Sequence, residues 1–97
     1  MQKRDRILTL HPQGKRGVNI EKEKYRIVRD AIIGVLKEEG TVTFNGLMKG
    51  VLSRLRGRFK GSIGWYVTTV KLDMEARKNI LCDRHSSPQT LRLGRIR

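Results

Sequence analysis

Cysteine is almost absent from this 97-residue chain: the single Cys82 excludes an internal disulfide and fits a reducing compartment, so a cytoplasmic setting is expected. Long apolar runs are also missing. The longest stretches hold two or three residues, far short of the roughly 20 that a membrane span needs, and no membrane partner is expected. No apolar segment follows Met1-Gln2-Lys3-Arg4, so the pattern is not that of a signal peptide. Histidine is limited to His11 and His85. Cys82-Asp83-Arg84-His85 offers two soft ligands where a zinc site wants four. No GxxxxGK phosphate loop occurs, and Ser53, Ser62, Ser86 and Ser87 lack a nucleophile context. Hence no catalytic, metal or cofactor site is expected, and the chain does not read as an enzyme.

Acidic residues are the most telling scarcity. Nine Asp plus Glu face 22 Lys plus Arg, a net charge of +13. So large an excess on one small domain points to a polyanionic partner; the plainer alternative is a soluble basic protein.

What is present is helical and strand periodicity. Residues 1–18 carry His11-Pro12, Gly14 and Gly17, which disfavour regular structure, and read as a basic arm in which Ile7, Leu8 and Leu10 have the character of a short extended piece. Residues 19–97 read as the domain. The first helix is expected over residues 20–38, with Asn19 as N-cap, a buried stripe of Val28, Ala31, Ile32, Val35 and Leu36 extended by Tyr25, and Gly40 as its stop. Thr41-Val42-Thr43 suits a short strand. Thr43 then caps a second helix over residues 44–55, with Leu47, Met48, Val51, Leu52 and Leu55 on its apolar face. Gly46 and Gly50 weaken that helix by roughly 1 kcal/mol each relative to Ala if they face solvent, and permit close helix approach if they do not. Residues 54–61 form a basic, glycine-punctuated connection. Ser62 caps a third helix over residues 63–78, with Ile63, Val67, Val70, Met74 and Arg77 on the core side and Asn79 as its stop. Residues 80–84 and 90–93 read as strands around a turn at 85–89.

Helix, short strand, two helices and a terminal hairpin make an α+β chain in winged helix-turn-helix order, the short strand giving the hairpin a third partner. Residues 70–80, Val-Lys-Leu-Asp-Met-Glu-Ala-Arg-Lys-Asn-Ile, resemble the end of a winged-helix third helix running into its wing. From residue 11 to 93 the chain also resembles a group of small bacterial proteins of unknown function with winged-helix-like organisation. The residues that carry this are His11-Pro12-x-Gly14, Tyr25 with Arg29-Asp30-Ala31, and Gly61-Ser62-Ile63-Gly64-Trp65-Tyr66. The resemblance implies the fold and no activity. Lys78-Asn79 departs from the single Gly such families often place there, which implies a turn one residue longer.

Charge is segregated along this frame. Residues 1–18 carry +4, residues 54–60 carry +4 and residues 83–97 carry +3, so 11 of the 13 net charges lie in the arm, the connection before the third helix, and the wing with its tail. On a winged helix bound to DNA, those segments meet flanking phosphates while the third helix enters the major groove. The candidate nucleic-acid contacts are Arg54, Arg56, Arg58 and Lys60 in the connection, and Ser62 and Gly64 at the start of the third helix. Thr68, Thr69 and Lys71 follow on its expected outer face, and Arg84, Arg92 and Arg95 in the wing and tail. That outer face is also expected to carry Trp65, Leu72 and Glu75, and Asp73 and Glu75 would repel phosphate if they faced it. No Arg, Asn or Gln sits mid-helix to read a base edge. Trp65 and Leu72 are expected under the arm or in an interface between subunits, so a homodimer is in view. Binding dominated by phosphate contacts, with double-stranded DNA favoured over RNA, is therefore the leading expectation. A protein-interaction or dimerisation module on the same scaffold is the alternative.

Overall fold

Six side chains at helical spacing, Tyr25, Val28, Ala31, Ile32, Val35 and Leu36, form the buried stripe of the longest helix, α1 (Lys22–Glu39). Its register is the one the periodicity predicts, and Gly40 ends it at φ 82°, donating its N–H to the Leu36 carbonyl. The computed structural model describes residues 5–96; Lys3 and Arg4 of the expected arm and Arg97 of the tail lie outside the described residues. Within them the chain is an α+β fold of three helices and two small antiparallel sheets.

The start of α1 differs from expectation. Asn19 is not its cap: β1 (Arg6–Leu8) pairs with β2 (Asn19–Glu21), Ile7 opposite Ile20, and the helix begins only after Glu21. Ile20 wins that contest because it is 3% exposed in the core as a strand residue, and a β-branched side chain suits that geometry. The expected boundary between residues 18 and 19 thus runs through a hairpin. Thr9 closes it beyond the strands, its N–H donating to the Val18 carbonyl while its hydroxyl accepts from the Val18 N–H. The segment from Arg6 to Val18 is folded back on the domain, not a free arm.

β3 (Val42–Thr43) leads into α2 (Phe44–Leu55), and the Thr43 hydroxyl caps it, accepting from the Gly46 N–H at 3.1 Å. Leu47, Val51 and Leu55 are buried on its inner face. Gly50 lies where α1 crosses: a Cβ there would sit 2.7 Å from Val35 Cγ2, so this glycine sets the approach of the two helices. Ser62 caps α3 (Ile63–Ala76) through the Trp65 N–H.

α3 ends two residues earlier than expected, and Lys78, not Asn79, takes the left-handed conformation, at φ 66°. The Asn79 N–H reaches back to the Met74 carbonyl and the Lys78 N–H to that of Glu75, the paired bonds of a helix stop that normally uses Gly. Left-handed backbone costs a side-chain-bearing residue about 1 kcal/mol. Lys78→Gly is therefore expected to raise stability by several tenths of a kcal/mol up to about 1, read as a higher urea midpoint at unchanged slope; a lower midpoint would contradict this.

β4 (Ile80–Asp83) and β5 (Thr90–Leu93) form the terminal hairpin, whose turn contains a cis Ser87–Pro88 bond. β5 is the central strand, with β3 on its other side, giving the order β3-β5-β4. Ile80 and Leu91 drop from this sheet into the core that the three helices share. Among the described residues no helix is long and apolar enough to cross a membrane.

Candidate nucleic-acid interface

The acidic residues of α3 do not reach the surface. Asp73, whose repulsion of phosphate was a concern, is 0% exposed. One oxygen accepts the Leu10 N–H at 2.8 Å; the other accepts the Tyr25 hydroxyl in a short bond and Arg77 Nε at 2.9 Å. This carboxylate ties the N-terminal hairpin, α1 and α3 together. Burial, and then the bond and charge of Asp73, push the Tyr25 phenol well above its ordinary pKa, so it stays a protonated donor. The bond to Asp73 likewise raises Arg77. Arg77, expected on the core side, is instead exposed, with its guanidinium over this carboxylate.

Glu75, expected to face outward, is 6% exposed. Lys71 Nζ stands 2.7 Å from one of its oxygens and Arg84 Nη2 3.7 Å from the other. The helix turns Glu75 inward because Lys71 stands one turn back on the same face and the β4 end brings Arg84 over it. Two expected nucleic-acid contacts, Lys71 and Arg84, are therefore engaged with an internal acid. Lys71 is a half-buried residue whose ammonium also lies 5.6 Å from the Phe44 ring centre.

The connection keeps its cations outside. Arg54, Arg56, Arg58 and Lys60 are all exposed residues. Arg54 lies against Gly34 of α1 and pairs with Glu38 at 3.0 Å; the other three make no ion pair with a described residue. Arg54, Arg56 and Arg58 converge on one shallow depression beside Ile27 and Asp30 of α1. Lys60 leads directly into Ser62 and the α3 N-terminus, where the first N–H groups lack helical acceptors. An aromatic corner holds this junction. Phe59 and Trp65 both meet Tyr66 edge-on, at 5.1 and 4.9 Å between ring centres, and Lys24 of α1 lies 5.5 Å from the Tyr66 ring.

The outward strip of α3 runs through Gly64, Trp65, Thr68, Thr69 and Leu72, and carries no charge. Trp65 is 46% exposed, Thr68 is exposed, and Gly64, Thr69 and Leu72 are half-buried. The Thr68 hydroxyl donates to the Gly64 carbonyl one turn back, an internal bond that a base would have to displace. The N-terminal hairpin does not cover Trp65: it packs near Ala76 and Lys78, at the other end of the helix. Burial by the arm is thus not the fate of this indole.

Arg92 and Arg95 sit elsewhere again. They line an open cleft of about 1090 Å³ together with Arg29, Arg77 and Lys78, between α1, the end of α3 and the terminal hairpin. The expected footprint is therefore three cationic clusters: the connection between α2 and α3, the Lys71–Glu75–Arg84 group, and the cleft. Sequence reasoning missed Arg29, Arg77 and Lys78 as members of one site. Their signal was weak, since Arg29 lies on a helix whose charges nearly cancel and Arg77 looked internal.

A family model described as Family of unknown function (DUF6958) matches residues 6–91. No curated protein and no solved structure matches the chain.

Proposed function

The chain belongs to that family of unknown function, and we propose that it is a nucleic-acid-binding winged-helix module, a binder and not an enzyme, which holds double-stranded DNA chiefly by its phosphates. The element order, with a three-stranded sheet arranged β3-β5-β4 after three helices, supports the fold reading. The observation that carries the function is the connection before α3. It sets Arg54, Arg56 and Arg58 in exposed positions beside α1 and Lys60 next to the α3 N-terminus, and among the described residues only Arg54 of the four has an acidic partner. A helix N-terminus flanked by free cations favours phosphate. The burial of Asp73 and Glu75 removes the main objection to placing α3 beside DNA. The uncharged outer strip of α3 supports contacts by shape and backbone over base reading.

The test is a fluorescence-anisotropy titration of a generic duplex across a salt series. The log–log slope is expected near −0.9 for each phosphate neutralised. Replacing Arg56, Arg58 and Lys60 with Ala is expected to flatten that slope by up to about 2.7 and to weaken binding equally across sequences. No binding at low salt, or binding indifferent to salt, would sink the proposal. Duplex RNA competing as well as DNA would move the partner to RNA.

The exposed Trp65 favours a second reading, an interface between subunits on the same scaffold. Sedimentation of wild type and Trp65→Ala distinguishes the two: an oligomer lost in the variant while duplex binding is retained assigns Trp65 to self-association.

A further inference from the structure

The cleft that gathers Arg29, Arg77, Lys78, Arg92 and Arg95 has no Asp or Glu in its lining. Arg29, Lys78, Arg92 and Arg95 make no ion pair with a described residue, and Arg77 alone has one, to the buried Asp73. Bringing four cations without acidic partners beside the Arg77–Asp73 pair costs electrostatic self-energy, which a bound anion would offset. The remaining lining includes Ile7, Leu81 and Leu93, with Leu81 the cross-strand partner of Arg92, so apolar surface lies beside the charges. That pairing of charge with apolar surface suits a ligand with an anionic head and a less polar body.

The cleft is also built. Arg95 donates its N–H to the Lys78 carbonyl at 2.8 Å and its carbonyl accepts from Asn79 Nδ2 at 2.8 Å, while the Gly94 N–H donates to the Asn79 carbonyl at 2.7 Å. A Cβ on Gly94 would lie 2.4 Å from the Lys78 carbonyl oxygen, so the segment after β5 is pressed against the left-handed turn that ends α3. These contacts set Lys78 and Arg95 at one rim. β5 carries Arg92 and α1 carries Arg29, each from a regular element. The guanidinium groups have the fork geometry that suits phosphate oxygens. At about 1090 Å³ the cleft stands just above the usual ligand-pocket range of about 300–1,000 Å³.

We propose that this cleft is a binding site for a free nucleoside polyphosphate, its phosphates held by Arg29, Arg92, Arg95 and Lys78 and its sugar and base against the apolar surface. The site stands independently of the duplex-binding reading, which rests on the connection before α3.

Isothermal titration of the full chain at 0.15 M salt with ATP, pyrophosphate and adenosine tests it. ATP is expected to bind saturably at one site, pyrophosphate more weakly, and adenosine without measurable heat. Amide shifts on ATP addition are expected to centre on residues 77–79 and 92–95. Arg29→Gln combined with Arg92→Gln is expected to weaken ATP by tenfold or more, since each removes a charged hydrogen bond worth about a factor of ten. Arg56→Gln combined with Arg58→Gln leaves it unchanged. If the first double variant loses its dispersed amide spectrum, Arg95→Gln alone carries the same comparison, with a loss of about tenfold expected. Absence of ATP binding, or equal weakening by the two double variants, overturns the site. Pyrophosphate binding as tightly as ATP overturns the nucleotide. A short duplex that displaces ATP and shifts the same residues overturns the free ligand in favour of a nucleic-acid backbone.

Discussion

Asp73→Ala is expected to lower stability by about 3–5 kcal/mol, because it strips the acceptor from three donors at once and leaves a buried phenol and a guanidinium without their partner. The carboxylate is fully enclosed, and its bonds to Leu10, Tyr25 and Arg77 come from three separate parts of the chain. For a domain whose whole stability is on the order of 5–15 kcal/mol, this is a large share. Asp73→Asn keeps the volume and one acceptor but turns the other oxygen into a donor. With the amide oxygen kept toward the Leu10 N–H, the Tyr25 hydroxyl can rotate to accept from the new NH2 while Arg77 Nε, which can only donate, loses its acceptor, so an intermediate loss of about 1–3 kcal/mol is expected. Urea unfolding gives both values. An Ala variant within about 1 kcal/mol of wild type, the range of a weak surface pair, would show that the hub adds little.

The second large effect concerns two glycines four residues apart on α2. Removing glycine from a helix interior ordinarily gains about 1 kcal/mol. At Gly46 the nearest atom to a new Cβ is Thr43 Oγ1 at 3.4 Å, so Gly46→Ala is expected to follow that rule. At Gly50 the new Cβ would meet Val35 Cγ2 at 2.7 Å and Cγ1 at 2.9 Å. Val35 is β-branched on a helix and buried, with one favoured rotamer, so it cannot turn aside. Gly50→Ala is therefore expected to cost about 1–3 kcal/mol by forcing α1 and α2 apart, a fall in Tm of at least about 4 °C. Combining it with Val35→Ala should recover part of that loss as a favourable coupling in the double-mutant cycle. Equal signs at the two glycines would contradict the close approach.

Much of the fold was legible because it rests on local rules. The α1 stripe, the Thr43 and Ser62 caps, the bounds of α2 and the β5 strand all follow from spacing and capping chemistry. The failures fall where tertiary contacts override local preference. Asn19 has the right chemistry for a cap, but Ile20 beside it gains more by entering the core as a strand residue. Glu75 reads as an outward acid because charge ordinarily seeks water, and the burial of Asp73 is equally invisible in the local pattern. Their burial depends on Tyr25, Leu10 and Arg84, which are distant in sequence. The candidate site divided in the same way. The exposed cations of the connection were visible as a run. The cleft was not, since its five cations come from α1, the end of α3 and the terminal hairpin, and no spacing rule unites them.

The Leu10 bond to Asp73 also has a kinetic meaning, for it joins residues 63 positions apart. Closing so long a loop costs chain entropy that local turns do not incur, so this contact is expected to form later than the local turns and the β1–β2 pairing. The Leu10 end of the N-terminal hairpin thus acts as a latch onto α3, while its strand β2 already supplies Ile20 to the core. During synthesis β1 can pair with β2 and rest on α1 early, whereas the Leu10 bond becomes available only once α3 has been made.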